Sequence, residues 1–485
     1  MSITPTRLIS VGSSSDDIKL CSSSEMPADA RYVALSHTWG VKEERVKAMP
    51  LLLTKNLSAR LLGISWHELT RTFQDAITIT RNIGMPYIWI DSLCIVQDDQ
   101  EDWAKEASSM ASVYKYAYLV IAATSSKNGD DGCLRPRVPS QDISDPFNGS
   151  FYVQQYISHG TIIGWQAGSN DMPLLDRAWC FQERMLASRI LHYTEREMMW
   201  ECHKELWCEC QTIKCLISNL EKPATVKLSY AAAVASTDPN VRAKAWDKFV
   251  REYSQRSLTF GTDRLPGISG IARHIALPSM GRYLAGIWEC QLPEALLWTP
   301  TGGVPDRRNV LPRPLQYTAP TWSWASILSA AVPDQSRKCA KSINLVCRVI
   351  DVECTPKTSD LYGHVIDGQL RISGPAIAAT LVRSDCESVA TSYFYEIVLE
   401  TQDVKASKVP SNLTMTNDVE LMETTIRVVI LFMEIRSYHT LPEDEFDSLA
   451  LIQPKTHKGC WERIGRVHGW GLDLSQFKER EFIIV

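Results

Sequence analysis

Three short apolar runs, RYVALSH (31–37), MPYIWID (85–91) and YLVIAATS (118–125), alternate with two stretches of helical periodicity, and nothing else in the chain restricts its fold so strongly. The runs are apolar at nearly every position rather than at every second one. Strands of that kind are buried on both faces, as in a parallel sheet covered by helices. The first helical stretch, Trp66 to Ile83, sets Leu69, Phe73, Ala76, Ile77, Thr80 and Ile83 at helical spacing and stops at Gly84. The second runs from about Asp98 to Ala117 and predicts one inner face of Trp103, Ala107, Met110, Tyr114 and Ala117. Such sheets gather ligands at the carboxyl ends of their strands. Here those ends are Ser36 to Gly40, Asp91 to Cys94 and Thr124 to Ser126.

At 485 residues the chain exceeds one compact core. We expect a loose, Ser- and Asp-rich lead-in over 1–30, an α/β domain over 31–203, a mostly helical region over 204–340 and a β-rich region over 341–485. Residues from about 127 to 170 read as a long insertion with one strand near Ser150 to Tyr156. SRILHYTEREMMWEC predicts a hairpin turning at Thr194 and Glu195. AWDKFVREYSQRSLTFGTDRLPGISGIARHIA predicts two helices, the second capped by Thr262 or Asp263. After Ala340 short alternating runs such as HVIDGQLRISG point to strands.

Several functions are excluded at this level. With 45% hydrophobic and 22% charged residues the chain is of the soluble globular type. A net charge of −5 with scattered lysines and arginines offers no basic stripe, so no nucleic-acid partner is expected. MSITPTRLIS is not a signal peptide and runs such as VVILFM are too short to span a bilayer, so a cytoplasmic protein without a membrane span is expected. The 14 cysteines then read as reduced thiols. Cys202, His203, Cys208, Cys210 and Cys215 can offer metal ligands, but the paired Cys-x-x-Cys units of zinc modules are missing, so no metal is expected. Phosphate-loop, Gly-x-Gly-x-x-Gly, His-Glu-x-x-His and Gly-x-Ser-x-Gly motifs are absent too, which leaves the carboxylates.

One block carries a carboxylate beside a Trp-Cys pair: DRAWCFQERML, Asp176 to Leu186. Together with YVALSHTWG (32–40) and YIWIDSLCIVQDDQEDWAKEASSMASVYKYA (87–117), the segment RAWCFQERMLASRIL (177–191) resembles the three signature blocks of the fungal heterokaryon incompatibility (HET) domain, in the same order. YSQRSLTFGTDRLPGISGIA, YTAPTWSWAS (317–326) and CWERIGR (460–466) resemble segments that follow it. The resemblance implies a role in non-self recognition that triggers programmed cell death. It also implies likeness to Toll/interleukin-1 receptor (TIR) domains, which share a flavodoxin-like parallel sheet and some of which cleave NAD. On that likeness Ser36 matches the residue that ends the first strand. Trp179, Cys180 and Glu183 match a Trp-Cys-x-x-Glu helix whose glutamate is catalytic, although Arg184 stands where leucine is usual. The implied site is Glu183 as catalytic carboxylate, with Ser36, Trp39, Gly40, Asp91 and Trp179 binding substrate. No cofactor is implied, and NAD is the candidate substrate.

Each of these residues also has a plainer role. Glu183 can pair with Arg177 or Arg184, and Trp179, seven residues from Leu186 on one helical face, can belong to the core. Cys180 reads as a buried thiol, Asp91 as a cap, and His37 as an ordinary hydrogen-bonded histidine. Glu106 reads as a solvated carboxylate at the edge of its helix. Trp322 and Trp324 share one face if extended and could form a binding surface, but read rather as packing of the C-terminal region onto the HET core. The competing functions are therefore an NAD-cleaving effector, a non-catalytic module that associates with itself or with a partner incompatibility protein, and a secondary-metabolism enzyme on the same scaffold.

Overall fold

The structure is a computed structural model that describes residues 5–27, 29–40, 49–135, 141–145, 149–153, 159, 171–213, 225–300, 313–333, 340–384, 394–399, 413–418, 423, 425–438, 444–454, 459–472, 474 and 477–485. The chain forms two compact units, Met1–Ala235 and Ser236–Val485.

The first unit is built on strands β1 (Arg7–Ser10), β2 (Lys19–Ser22), β3 (Tyr32–Ser36), β4 (Tyr87–Trp89) and β5 (Leu119–Ala122), a separate hairpin of β6 (Gln141–Asp145) and β7 (Gly149–Val153), and β8 (Arg189–Tyr193), β9 (Met198–Cys202) and β10 (Leu206–Cys208). Its helices are α1 (Leu57–Leu62), α2 (Arg71–Asn82), α3 (Asp91–Cys94), α4 (Gln100–Tyr116), α5 (Ala178–Leu186) and α6 (Val226–Ala235). Eight strands form one sheet in the order β10-β9-β8-β5-β3-β4-β1-β2. The centre is parallel, β3 lying between β4 and β5, with β8 beside β5. Antiparallel pairs close both edges. The four parallel strands thus follow the order second, first, third, fourth, so connections leave β3 in opposite directions and open a switch point between β3 and β5.

Val33, Ala34, Leu35, Ile88, Trp89, Val120 and Ile121 are buried in one cluster with Phe73, Ala76 and Ile77 of α2 and Val113 and Tyr114 of α4. The continuous apolar strands are therefore continuous core. Three details differ from expectation. The lead-in over 1–30 contains β1 and β2, whose Leu8, Ile9 and Leu20 are buried; two apolar residues per strand are too few for periodicity to register. On α4 the inner stripe is Glu106, Met110, Val113, Tyr114 and Ala117, while Trp103 is 41% exposed. Both stripes have helical spacing and share Met110, Tyr114 and Ala117, so pattern alone does not separate them. The strand expected at Ser150 to Tyr156 is the second arm of the β6–β7 hairpin, and 154–156 lie outside the described residues.

The second unit opens with helices α7 (Pro239–Ser254) and α8 (Pro266–Ile275). The latter starts later than predicted. Thr262 and Asp263 belong to a 3₁₀ turn, Leu265 occupies the cap position and Pro266 supplies the preset first helical residue. A nine-stranded antiparallel sheet follows, with β11 (Ser342–Leu345), β12 (Arg348–Pro356), β13 (Val365–Ser384), β14 (Phe394–Leu399), β15 (Thr414–Asn417), β16 (Thr425–Ser437), β17 (Glu445–Ile452), β18 (Glu462–Trp470) and β19 (Glu479–Ile484). Its spine runs β12-β13-β16-β17-β18-β15.

Trp322 and Trp324 are core residues within this unit. Trp324 and Trp246 each donate an indole N–H to the Gly286 carbonyl at 2.8 Å. Gly286 has φ +98°, and a Cβ there would lie 2.6 Å from Trp324 Nε1. Gly286→Ala is therefore expected to cost about 2–4 kcal/mol, combining left-handed backbone strain with overpacking. Chemical denaturation followed by tryptophan fluorescence measures it.

Candidate functional site

Glu183 sits on α5, where Ala178, Cys180, Phe181, Met185 and Leu186 are also buried. Burying so much of one short helix leaves its carboxylate little contact with bulk water, and polar side chains from neighbouring elements surround it instead. Ser36, the last residue of β3, donates its hydroxyl to Glu183 Oε2 at 2.5 Å. Tyr114 of α4 hydrogen-bonds the same carboxyl and donates to the Leu35 carbonyl at 3.1 Å. Burial raises the Glu183 pKa to about 7; the Ser36 hydrogen bond and the Arg177 charge oppose the rise, and the Asp91 charge adds to it.

Asp91 opens α3 directly after β4. Its Oδ1 accepts the Ser92 N–H at 2.7 Å and its Oδ2 accepts the Trp39 indole N–H at 3.0 Å. It both steadies its own turn and ties down the Trp39 loop. Gly40 follows Trp39 with φ +100°, a left-handed turn that glycine takes without strain. His37 is not the ordinary hydrogen-bonded histidine expected. Its Nε2 stands 3.6 Å from Asp91 Oδ1, outside hydrogen-bond range, and its ring meets Phe73 edge-on. Burial lowers the His37 pKa, more than Asp91 restores, which favours the neutral ring. Arg177, at the start of α5, donates to the His37 carbonyl at 2.5 Å.

Ser36, Trp39, Asp91 and Glu183 thus converge beside the switch point, with Gly40 at the rim of the same loop. Trp179 is half-buried on α5, and Cys180 is a buried thiol. Tyr114 and Arg177 were not singled out from the sequence as site residues. Tyr114 reads there as one more residue of an apolar face, while Arg177 heads the RAWCFQE block and is its visible cation. Glu106, expected in solvent, is 2% exposed on the inner stripe of α4. Its burial follows from the rotated face. Two clefts, of about 380 and about 420 Å³, are lined by Ser10, Val11, Arg81 and Pro86 and by Arg71, Arg135, Tyr193 and Thr194. Neither is lined by Glu183.

Arg184 has a different partner from the one considered. It forms a two-pronged pair with Glu201 of β9, Nε to Oε2 and Nη2 to Oε1, both 2.7 Å and both buried. His192 Nε2 lies 3.3 Å from Glu201 Oε2, and its Nδ1 is 3.0 Å from Thr124 Oγ1. Lys227 of α6 donates to the Arg184 and Ala187 carbonyls at the end of α5. Burial alone would raise the Glu201 pKa, but the Arg184 charge and hydrogen bonds hold it far below the usual carboxylate range. Burial lowers the Lys227 pKa to about 7.

A doubly wound α/β domain with a buried carboxylate pinned to the end of its first parallel strand is the class that fold and site define. Residues 32–183 match the family model described as heterokaryon incompatibility protein (HET), a span that opens on β3 and closes on Glu183. Over that span, about a third of its length, the chain carries a HET domain. No curated protein and no solved structure matches it. Among the described residues no helix is long and apolar enough to cross a membrane.

Proposed function

We propose that this chain is an incompatibility-type effector of programmed cell death in a filamentous fungus, whose HET domain cleaves the nicotinamide glycosidic bond of NAD with Glu183 as catalytic carboxylate. The observation that supports this reading is the Ser36–Glu183 pair: a desolvated carboxylate fixed at the strand end where doubly wound sheets take their ligands. Nicotinamide leaves as a neutral base and needs no proton. What the reaction needs is negative charge beside the developing ribosyl oxocarbenium ion, and an ionised carboxylate in a dry site supplies it. Ser36 would orient that carboxylate, while Trp39, Gly40, Asp91 and Trp179 would contact the nucleotide. The effector would act in the cytoplasm after self-association or contact with a partner incompatibility protein.

The ionised form is the working one, so nicotinamide release should rise with pH through about 7, the Glu183 value. Ser36→Ala removes a hydrogen bond that favours the ionised form and is expected to move the rising limb up by roughly 1 unit. A falling limb at the same pH would mean that the group acts as an acid and would refute the assignment. The decisive assay is NAD turnover by the purified full chain at high concentration beside Glu183→Ala, with circular dichroism on both. Release that survives in the folded variant rules out this carboxylate.

A second reading, a non-catalytic assembly module, is favoured by Glu183 being only 7% exposed. It predicts no turnover by either protein, together with concentration-dependent oligomers in light scattering.

A further inference from the structure

Away from the Glu183 site, four side chains with metal-binding atoms meet at the end of the β8–β9–β10 edge. His159, Glu197, Cys208 and Cys210 each place one ligand atom within 4.8 Å of the other three. The residues come from separate parts of the chain. Glu197 stands in the β8–β9 turn, where Thr194 N–H bonds the Glu197 carbonyl. Cys208 ends β10 and Cys210 lies in the turn that follows, just before Gln211 takes φ 63°. His159 and Glu197 are 0% and 2% exposed. Nearest approaches are His159 Nε2 to Glu197 Oε1 at 2.5 Å, Cys208 Sγ to Cys210 Sγ at 3.2 Å, and Cys210 Sγ to His159 Nε2 at 3.6 Å.

We propose that these four residues bind one zinc ion. Around tetrahedral zinc, with Zn–S of about 2.3 Å and Zn–N or Zn–O of about 2.0 Å, neighbouring ligand atoms lie roughly 3.3–3.8 Å apart. The sulfur–nitrogen separation already has that length. The sulfur pair and the His–Glu pair each open by less than about 1 Å to admit the ion. Two thiolates, one imidazole and one carboxylate form a borderline-soft set that suits zinc better than calcium or magnesium. Each thiol gives up its proton to solvent on binding.

The surrounding groups are arranged as such a site needs. With Nε2 on the metal, the His159 proton moves to Nδ1, which lies 3.5 Å from Thr212 Oγ1. The Thr212 hydroxyl is itself 2.8 Å from Cys210 Sγ, so it can accept from the imidazole and donate to the thiolate. Glu197 keeps Oε1 for the metal while its Oε2 accepts the Cys210 backbone N–H at 3.0 Å. Four protein ligands leave no open position, which makes the site structural: it would fasten His159 to the sheet edge. Of the sequence candidates, Cys202 and His203 lie elsewhere, with His203 on the Met185 carbonyl and against Tyr230, and Cys215 is outside the described residues.

The test is metal analysis of the full chain, purified without chelator or polyhistidine tag. About one zinc per chain is expected in wild type and in Cys202→Ser, and almost none in the Cys208→Ser/Cys210→Ser double variant. Should the double variant not fold, chelated wild type titrated with Co²⁺ is expected to show the intense visible absorption of a tetrahedral thiolate site, saturating near one equivalent and bleached by Zn²⁺. Three results would overturn the proposal: wild type with little zinc and no cobalt–thiolate band, a folded double variant that keeps its zinc, or an intact Cys208–Cys210 disulfide in the protein as isolated.

Discussion

Glu183→Gln is expected to abolish the proposed NAD cleavage and at the same time to make the protein more stable above pH 7. The Glu183 pKa is raised by burial from 4.5 to about 7 in the folded state. Below about pH 4.5 the carboxyl is protonated whether the chain is folded or not, and it costs nothing. As pH climbs to 7 the unfolded chain releases this proton first, so wild-type stability falls, and above 7 the loss is complete. At about 1.4 kcal/mol per unit, the rise from 4.5 to about 7 makes the loss roughly 3.5 kcal/mol. Glutamine has nearly the same shape and does not titrate. The variant's stability should match wild type at pH 4 and exceed it by about 3 kcal/mol at pH 8, in urea denaturation at both pH values. A carboxylate kept at a stability cost is what a working site predicts. Equal destabilisation at both pH values would instead make Glu183 a packing residue and sink the catalytic reading.

Glu201→Gln should act in the opposite direction, although this glutamate is also buried in the first unit. Glu201 is held ionised against desolvation by Arg184 in two-pronged geometry, with His192 beside it. Removing its charge strands a buried guanidinium, an expected loss of about 3–5 kcal/mol. Adding Arg184→Met should recover roughly half of that, because an apolar pair needs no compensation. Urea denaturation of the single and double variants measures both quantities. A loss under about 1 kcal/mol in the single variant would mean that water reaches the pair. The contrast between two glutamates on neighbouring elements separates a strained group from a paired one.

Arg184 also shows why the family-like block needs its own reading in this chain. Arginine at this buried position is accommodated because β9 supplies Glu201 directly beside it. Nothing in DRAWCFQERML announces that partner, which lies seventeen residues further on.

By itself the sequence determined the parallel sheet, since runs such as YVALS and YLVIA have no polar face to show to water and can only be central strands. It likewise placed the α2 and α4 helices, the β8–β9 hairpin and the β-rich end, all of which rest on local periodicity. Ser36, Trp39, Asp91 and Glu183 were legible as candidates because strand ends and a motif mark them. Tertiary structure alone decided which carboxylate forms a two-pronged ion pair and which is held by hydroxyls, which face of α4 turns inward, and that His159 and Glu197 meet Cys208 and Cys210. Those outcomes depend on contacts between residues far apart in the chain. Helical and strand periods record only the near neighbours of each residue, whereas burial and charge pairing are set by whatever the fold brings up against it.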